Sequence, residues 1–439
     1  MSYSEKRGSA DILVVGAGVL GVATSYWLSC LYDCRILLVD GERTVAVHAS
    51  SRNTGVLHRP FYLNPKTKKI FARSSELSYA IWKDLSQRMS LPWKPVGTLN
   101  AATTQADMDT LERYRAWGEE NGVPLGDMEM LDGRQAKELE PEVRCVGALL
   151  SRADVSVDFG AFTAALRALA AGNGVSFVGE SEVTSVEDVD GKVEVSFKGG
   201  APFRSVECRL MINAAGGGAL PIAHSRGLAT DCSVLNFRGD YWVVKEPFAS
   251  RVGRNIYTPP RYPQFPFLDP HLVVRADGSR QIGPNAALVA GPYAYTGVGL
   301  SSVGRLLSRP LGPKLRLLTN PTFMSMAAKE WYSSMSKGGM CSRVEQFLPG
   351  LRAGMLGGHG VSGVRSSAVD KDGFVPEAKI LTDDRSVHVI NYNSPGATGA
   401  PSFSAMLVSR LRSEGMLDAF RRKEGLHAMW DFETAADER

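Results

Sequence analysis

The chain has 439 residues, 44% hydrophobic and 22% charged, with a net charge of +4. That length suits two or three globular domains, and the charge is too small to argue for nucleic acid. No run of about 18 apolar residues predicts a membrane-spanning helix, and MSYSEKRGSA at the N-terminus lacks the apolar core of a secretory signal. Six cysteines (Cys30, Cys34, Cys145, Cys208, Cys232, Cys341) lack disulfide or metal spacing. They read as small core residues of a reduced, cytoplasmic compartment, with Cys30 and Cys34 on one helical face. Mitochondrial placement and peripheral membrane contact stay open.

The first ordered segment, Asp11 to Asp40, reads DILVVGAGVLGVATSYWLSCLYDCRILLVD. Ile12 to Val15 form a continuous apolar run, as expected of a strand buried on both faces of a parallel sheet. Gly16, Gly18 and Gly21 follow with G-x-G-x-x-G spacing, then a helical stretch to Leu31 and a second strand from Arg35 to Val39. The first glycine permits the tight turn, the second lets backbone approach a pyrophosphate, and the third lets helix and strand pack closely. The helix start, with Ala17, Val19 and Leu20 among the glycines, offers N–H groups and a partial positive charge to phosphates. Asp40 stands 19 residues past Gly21, placed to accept from a ribose hydroxyl. An acid there favours FAD or NAD over NADP. Gly41 and Arg43, directly after it, join the expected cofactor site.

Residues 44 to 65 form a small, polar loop at the carboxyl edge of the sheet. Ser50, Ser51, Asn53 and Thr54 are placed to donate to phosphate and ribityl-type oxygens, and Gly55 to let backbone lie against a flat ring. A helix is expected from Lys66 to about Leu85, a strand over Trp93–Ala102, a charged helix over Asp107–Asn121 and a helical turn over Arg134–Leu139. These last three read as an insertion. Asp158 signals a helix start, and the helical pattern reaches Ala171. Val175 to Val178 follows as a strand. Glu182–Val189 and Lys192–Phe197 then form a hairpin at Asp190-Gly191, with Val183 near the cofactor. Arg209 to Ala215 is a further buried strand whose glycine-rich end, from Ala215 and Gly216 to Gly218, returns toward the ligand.

Residues 234 to 290 are β-rich, with a turn at Asp277-Gly278, and read as an antiparallel sheet forming one pocket wall. Residues 303 to 350 are mostly helical in pattern. Beyond them come Gly363, Val364 and Arg365, a turn at Lys371-Asp372-Gly373, and a strand ending in Gly396, Ala397, Thr398 and Gly399, with a helix from about Ala397. A single NAD site would not need this second glycine-rich turn, whereas a long cofactor touched from both ends of the chain would. Ser413 to Arg439 reads as a surface helix with a frayed tail. The pattern divides into a discontinuous cofactor-binding unit (1–85, 145–233, 345–412), a substrate-binding unit (86–144, 234–344) and a tail (413–439).

GAGVLG, Asp40, SSRNTGVLH, MINAAG, FRGDYWVVK, NIYTPP, FPFLDPH, IGPNA, GVRSSAVDKDG and NSPGATGAPSFSA together resemble the L-2-hydroxyglutarate dehydrogenase/oxidase family. That family sits within the D-amino-acid-oxidase-like flavoproteins. The similarity runs from about residue 10 to 410. It implies an α/β fold: a Rossmann-like FAD-binding domain interleaved with an α+β substrate domain built on an antiparallel sheet. It also implies non-covalent FAD and oxidation of a 2-hydroxy dicarboxylate to the 2-oxo acid. The chain departs from the family pattern at Arg59-Pro60, at Asp269-Pro270 and at Gly217-Gly218-Ala219. The first two departures fall where substrate would be read.

Oxidising an alcohol with flavin needs a base for the hydroxyl proton and cations for the substrate carboxylates. His58, in the loop expected to pass the flavin, is the first choice for base, and His271 is the second or a carboxylate partner. Arg365 can pair bidentately with a carboxylate or hold the flavin's electron-rich edge. Tyr241 and Tyr257 are candidate donors to substrate oxygen. Arg59 and Arg238 are weaker carboxylate candidates, read more simply as solvated charges, and His359 as a loop donor. No Cys/His/Asp/Glu cluster has metal-ligand spacing, so no metal is expected. Two other readings remain: an amine oxidase acting on an amino or imino acid, and a flavin-binding protein without turnover. The small anionic substrate has no motif naming its electron acceptor, whether oxygen, quinone or a carrier flavoprotein.

Overall fold

Ile12–Val15 and Ile36–Val39 are apolar at every position because both faces of their sheet are covered. Side chains alternate along a strand. Ile12, Val14, Ile36 and Leu38 therefore pack on one side with helices, while Leu13, Val15, Leu37 and Val39 pack on the other with a second sheet. In this computed structural model, which describes residues 7–262, 265, 269–299, 304, 310–424 and 428–438, the central sheet has six strands. Their order is Ser176–Val178, Ile36–Val39, Ile12–Val15, Leu210–Asn213, Ser386–Ile390 and Lys379–Thr382, parallel except at the last pair. The helix side carries Val19–Leu31, Phe159–Gly172, Gly396–Ser413 and Lys69–Met89. The other side carries a four-stranded sheet that includes the expected hairpin, with Asp190 and Gly191 both at positive φ (49° and 75°).

An eight-stranded, mostly antiparallel sheet forms the second body, in the order Leu356–His359, Trp242–Val244, Arg280–Gly283, His271–Val274, Asn255–Tyr257, Thr98–Ala102, Gly147–Ser151 and Met128–Asp132. Gly147–Ser151 lies in the stretch expected to go with the cofactor-binding unit, yet it pairs here with Thr98–Ala102 and Met128–Asp132. The chain is thus a Rossmann-like α/β layer interleaved with an α+β body on an antiparallel sheet. A further sheet, Ala287–Val289, Ser233–Gly239, Gly363–Asp370 and Gly373–Phe374, sets Arg365 opposite Phe237.

Several local expectations are corrected. Cys30 and Cys34 share no helical face, because the helix ends at Leu31 and the chain runs extended through Tyr32–Asp33. The strand expected over Trp93–Ala102 is two strands, Trp93–Lys94 and Thr98–Ala102, in different sheets. Pro95 has no N–H to continue a ladder, and Gly97 turns the chain at φ +70°. Within 303–350 the described helices are Gly312–Leu318, Pro321–Met335 and Lys337–Val344, while 303 and 305–309 lie outside the described residues, as do 266–268 of the FPFLDPH segment. The C-terminal segment is no surface helix. After Ser413 it turns, pairs Arg421–Arg422 with Tyr32–Asp33, and ends in the one-turn helix Phe432–Ala435. Leu417, Phe420 and Phe432 are buried in the main core, and Trp430 and Phe432 pack edge-on against the aromatic surface of Tyr26 and Trp27. Residues 425–427 and 439 lie outside the described residues.

Candidate active site

A cavity of about 660 Å³ opens where the carboxyl ends of the parallel strands meet the sheet wall. One end is built by the first strand-to-helix turn. Gly16 holds φ at +102°, and a Cβ on Gly21 would sit 1.8 Å from the carbonyl oxygen of Gly16, so only hydrogen fits there. Gly18, Val19 and Leu20 line the cavity, and a Cβ on Gly18 would meet only Ser50 Oγ, at 3.0 Å. Ser50 Oγ accepts the Val19 N–H at 2.9 Å. Asp40 lines the same end, its carboxylate accepting from Ala17 N–H at 2.6 Å and Glu42 N–H at 2.8 Å. Each of its oxygens keeps a lone pair for a further donor, and burial raises its pKa. Gly41, Val183, Ala215, Gly216, Asn53 and Thr54 also border the cavity.

The far end of the chain reaches the same space. Gly363, Val364 and Arg365 line it, as do Gly396, Ala397 and Thr398 at the start of the helix Gly396–Ser413. Neither that helix nor Val19–Leu31 is capped by a side chain of its own N-cap residue. Two positive helix ends therefore converge on one elongated cavity with a glycine cradle and an acid at one extremity. This fits a dinucleotide with a pyrophosphate in its middle, and FAD is such a group.

Not every expected cofactor residue faces it. Arg43 is exposed and pairs with Glu180 at 3.0 Å. Ser51 is exposed, its hydroxyl 3.4 Å from the His48 carbonyl. Asn53 borders the cavity but spends its side chain locally, donating to the Ala49 and Ser50 carbonyls and accepting from Gly55 N–H. Gly55 lies against no open ring site, since a Cβ there would be 2.9 Å from the Val157 carbonyl oxygen. Gly399 packs on the helix Lys69–Met89, where a Cβ would be 2.5 Å from Ser74 Oγ. Ala17 and Gly21 serve the turn itself.

The other end of the cavity gathers His58, Tyr241, Tyr257, His271 and Arg365. His58 Nδ1 is 2.9 Å from Asp154 Oδ2, and Nε2 is 3.4 Å from the Tyr257 hydroxyl. His271 stacks on Tyr257, ring centroids 3.8 Å apart, and donates from Nδ1 to the Asp269 carbonyl at 3.0 Å. Its Nε2 is buried with no partner among the described residues. Burial pulls its pKa down to about 3, so the ring is neutral. Burial pushes the Tyr241 phenol up to about 12 and raises Tyr257 well above the usual phenol value, keeping both protonated as donors. It also lowers the pKa of Arg365, against the opposing pull of the Tyr62 and Tyr241 phenols.

Three charged or polar candidates lie elsewhere. Arg59 is neither a substrate cation nor a solvated charge: it is buried, paired with Glu76 at 2.7 Å and Asp127 at 2.9 Å, its guanidinium over the Tyr79 ring. Arg238 is buried as well, held by both oxygens of Asp240 through Nε at 2.8 and 3.0 Å. His359 is exposed and lies tilted against the Trp242 ring, centroids 3.8 Å apart. Residues that sequence reasoning missed are Asp154, Tyr62 beside the His58 ring, and Arg275 over the Tyr241 ring. The only signal for Asp154 is its place just before a strand that pairs with the strand leading into His58.

The chain is 29% identical over 426 residues to the mitochondrial L-2-hydroxyglutarate dehydrogenase of Nematostella vectensis, covering 91% of this chain and 90% of that protein. It is 27% identical over 410 residues to the corresponding protein of Caenorhabditis briggsae, covering 91% and 92%. Among solved structures, L-alpha-glycerophosphate oxidase from Mycoplasma pneumoniae with FAD bound superposes with a TM-score of 0.70 at 22% identity, over 96% of this chain and all of that one. That likeness carries the fold. The family described as FAD dependent oxidoreductase (DAO) matches residues 11–411. A cavity shaped for a dinucleotide and a family match over nearly the whole length agree: the chain belongs to the FAD dependent oxidoreductase family, an enzyme family whose cofactor is FAD.

Proposed function

We propose that the protein oxidises a small 2-hydroxy acid, L-2-hydroxyglutarate before others, to the 2-oxo acid. The substrate is the one printed in the names of its relatives from Nematostella vectensis and Caenorhabditis briggsae. The observation that carries the reading is His58 on the cavity wall with Nδ1 committed to a buried carboxylate, in the same chamber as Arg365. The two glycine turns, Asp40 and the Gly396 helix start would hold FAD, which when bound would supply a two-electron acceptor.

The protein's part is orientation and proton handling. Arg365 pairs with a substrate carboxylate, and the un-ionised phenols of Tyr241 and Tyr257 donate to its oxygens. His58 Nε2 takes the hydroxyl proton as the C2–O bond becomes a carbonyl. His271, kept neutral by its burial, offers an acceptor at Nε2 without adding charge to the chamber. We divide the chain as the sequence suggests, 1–85, 145–233 and 345–412 for the cofactor and 86–144 and 234–344 for the substrate, but move Gly147–Ser151 and Leu356–His359 to the substrate side because they pair in the eight-stranded sheet. Among the described residues no helix is long and apolar enough to cross a membrane.

An anaerobic screen tests the reading. L-2-Hydroxyglutarate and related 2-hydroxy acids should bleach the flavin absorbance in one turnover. Bleaching by amino acids alone would replace the alcohol with an amine, and no bleaching by either class would leave a flavin protein without this chemistry.

A further inference from the structure

We propose that Asp154 is a positioning residue, fixing His58 in the tautomer that carries its proton on Nδ1 and presents Nε2 as the acceptor. This rests on the reading of His58 as the base. Asp154 is fully buried, and a buried carboxylate persists only where donors meet it. Its Oδ1 accepts from Ser151 Oγ at 2.8 Å and Arg59 N–H at 2.9 Å, and its Oδ2 is aimed at His58 Nδ1. The neighbouring guanidinium of Arg59 does not neutralise it, being engaged with Glu76 and Asp127. The carboxylate is thus turned on the imidazole.

Placement follows from strand register. Val155 pairs with Leu57 and Ser156 with Val56 in an antiparallel ladder. One further step sets Asp154 across from His58. An ionised carboxylate only accepts, so the imidazole nitrogen facing it must carry hydrogen, leaving Nε2 as the accepting nitrogen, 3.4 Å from the Tyr257 hydroxyl. The other titratable groups facing His58 are Tyr62 and Tyr257, each packed edge-on, and His271 behind Tyr257. Arg365 and Arg275 are the cations that act on these phenols. None of these replaces Asp154 at Nδ1.

Asparagine at 154 keeps the size and the Oδ1 acceptor but can turn an NH₂ toward Nδ1, which reverses the tautomer. Asp154→Asn should slow anaerobic flavin reduction about 10²- to 10⁴-fold with FAD content unchanged. The pH midpoint of the reduction rate should also move to lower pH, since a carboxylate no longer favours the imidazolium. A plateau within threefold of wild type, or an unmoved midpoint, overturns the proposal. Nitrogen-15 spectra of histidine-labelled wild-type holoprotein, with His58 assigned through His58→Gln, supply a measurement independent of turnover and of the variant's folding. A proton on Nδ1 supports the proposal and a proton on Nε2 ends it. If no acid reduces the flavin, the functional reading falls, and the tautomer alone then decides the role of Asp154.

Discussion

His58 and Arg59 are neighbours in sequence with opposite fates. The histidine lines the cavity, whereas the arginine turns away into a buried cluster with Glu76 and Asp127. His58→Gln should lower single-turnover flavin reduction about 10²- to 10⁴-fold with FAD still bound, because glutamine cannot take the proton. Normal stopped-flow traces for that variant would remove His58 from the chemistry. Arg59→Ala should act on the fold instead. It strands two carboxylates in a low-polarity setting at a cost of about 3 kcal/mol, read as a lower chemical-denaturation midpoint. Slow flavin reduction at unchanged stability would place Arg59 at the substrate after all. The contrast shows what the sequence could tell at this scale. His58, His271, Tyr241, Tyr257 and Arg365 sit in segments whose resemblance marked them, and the structure brings all five to one chamber. The partners of Arg59, and Asp154 beneath His58, depend on pairings between positions far apart in the chain, which no local pattern reports, whereas Arg238 is held by Asp240 only two residues on.

At the level of elements, the glycines of the first turn separate binding from folding. Gly18 has φ −70°, ordinary for any residue, and only Ser50 Oγ stands near a side chain placed there. Gly18→Leu should therefore fold and lose FAD, since the new side chain occupies cavity space. Gly21→Ala should fail to fold, as its Cβ would collide with the Gly16 carbonyl oxygen. A yellow, fully loaded Gly18→Leu protein would mean that the pyrophosphate does not approach this turn. The strand–turn–helix units were legible because glycine spacing, apolar runs and caps agree there. Asp158, for example, accepts from Ala161 N–H at 3.1 Å at the start of the helix Phe159–Gly172. The C-terminal segment was misread because its charged residues hide a few apolar ones at irregular spacing, and their burial depends on a surface built elsewhere. Phe432, packed edge-on to Trp27 at 5.5 Å between centroids, should cost about 3 kcal/mol when truncated to alanine. An unchanged denaturation midpoint for Phe432→Ala would return the tail to the surface.

For the whole molecule, acid stability is set by groups that folding forces into one protonation state. His388 is fully buried in the central sheet, with Nδ1 2.9 Å from Asn213 Nδ2 and Nε2 2.8 Å from Ser386 Oγ. Burial lowers its pKa from 6.5 to about 4, against the smaller opposing pull of Asp383. The sign follows from that direction. Below pH 6.5 the unfolded chain takes up a proton that the folded one refuses, so the stabilisation present above pH 6.5 is lost as pH falls toward 4. His271 pulls the same way, its pKa lowered by burial to about 3. The buried carboxylates Glu140 and Glu330 and the half-buried Glu76 and Glu377 oppose it, because desolvation raises their pKa values and the folded state then binds protons more tightly. The net slope of the wild type is therefore uninformative by itself, and the difference between two proteins isolates one histidine. His388→Gln removes the titration while keeping a polar side chain in the strand. Whatever stability it loses at pH 7, the gap to wild type should shrink by about 2 kcal/mol between pH 6.5 and pH 5. Chemical denaturation of both holoproteins across that range measures it, and a gap independent of pH would show that His388 binds its proton as readily folded as unfolded.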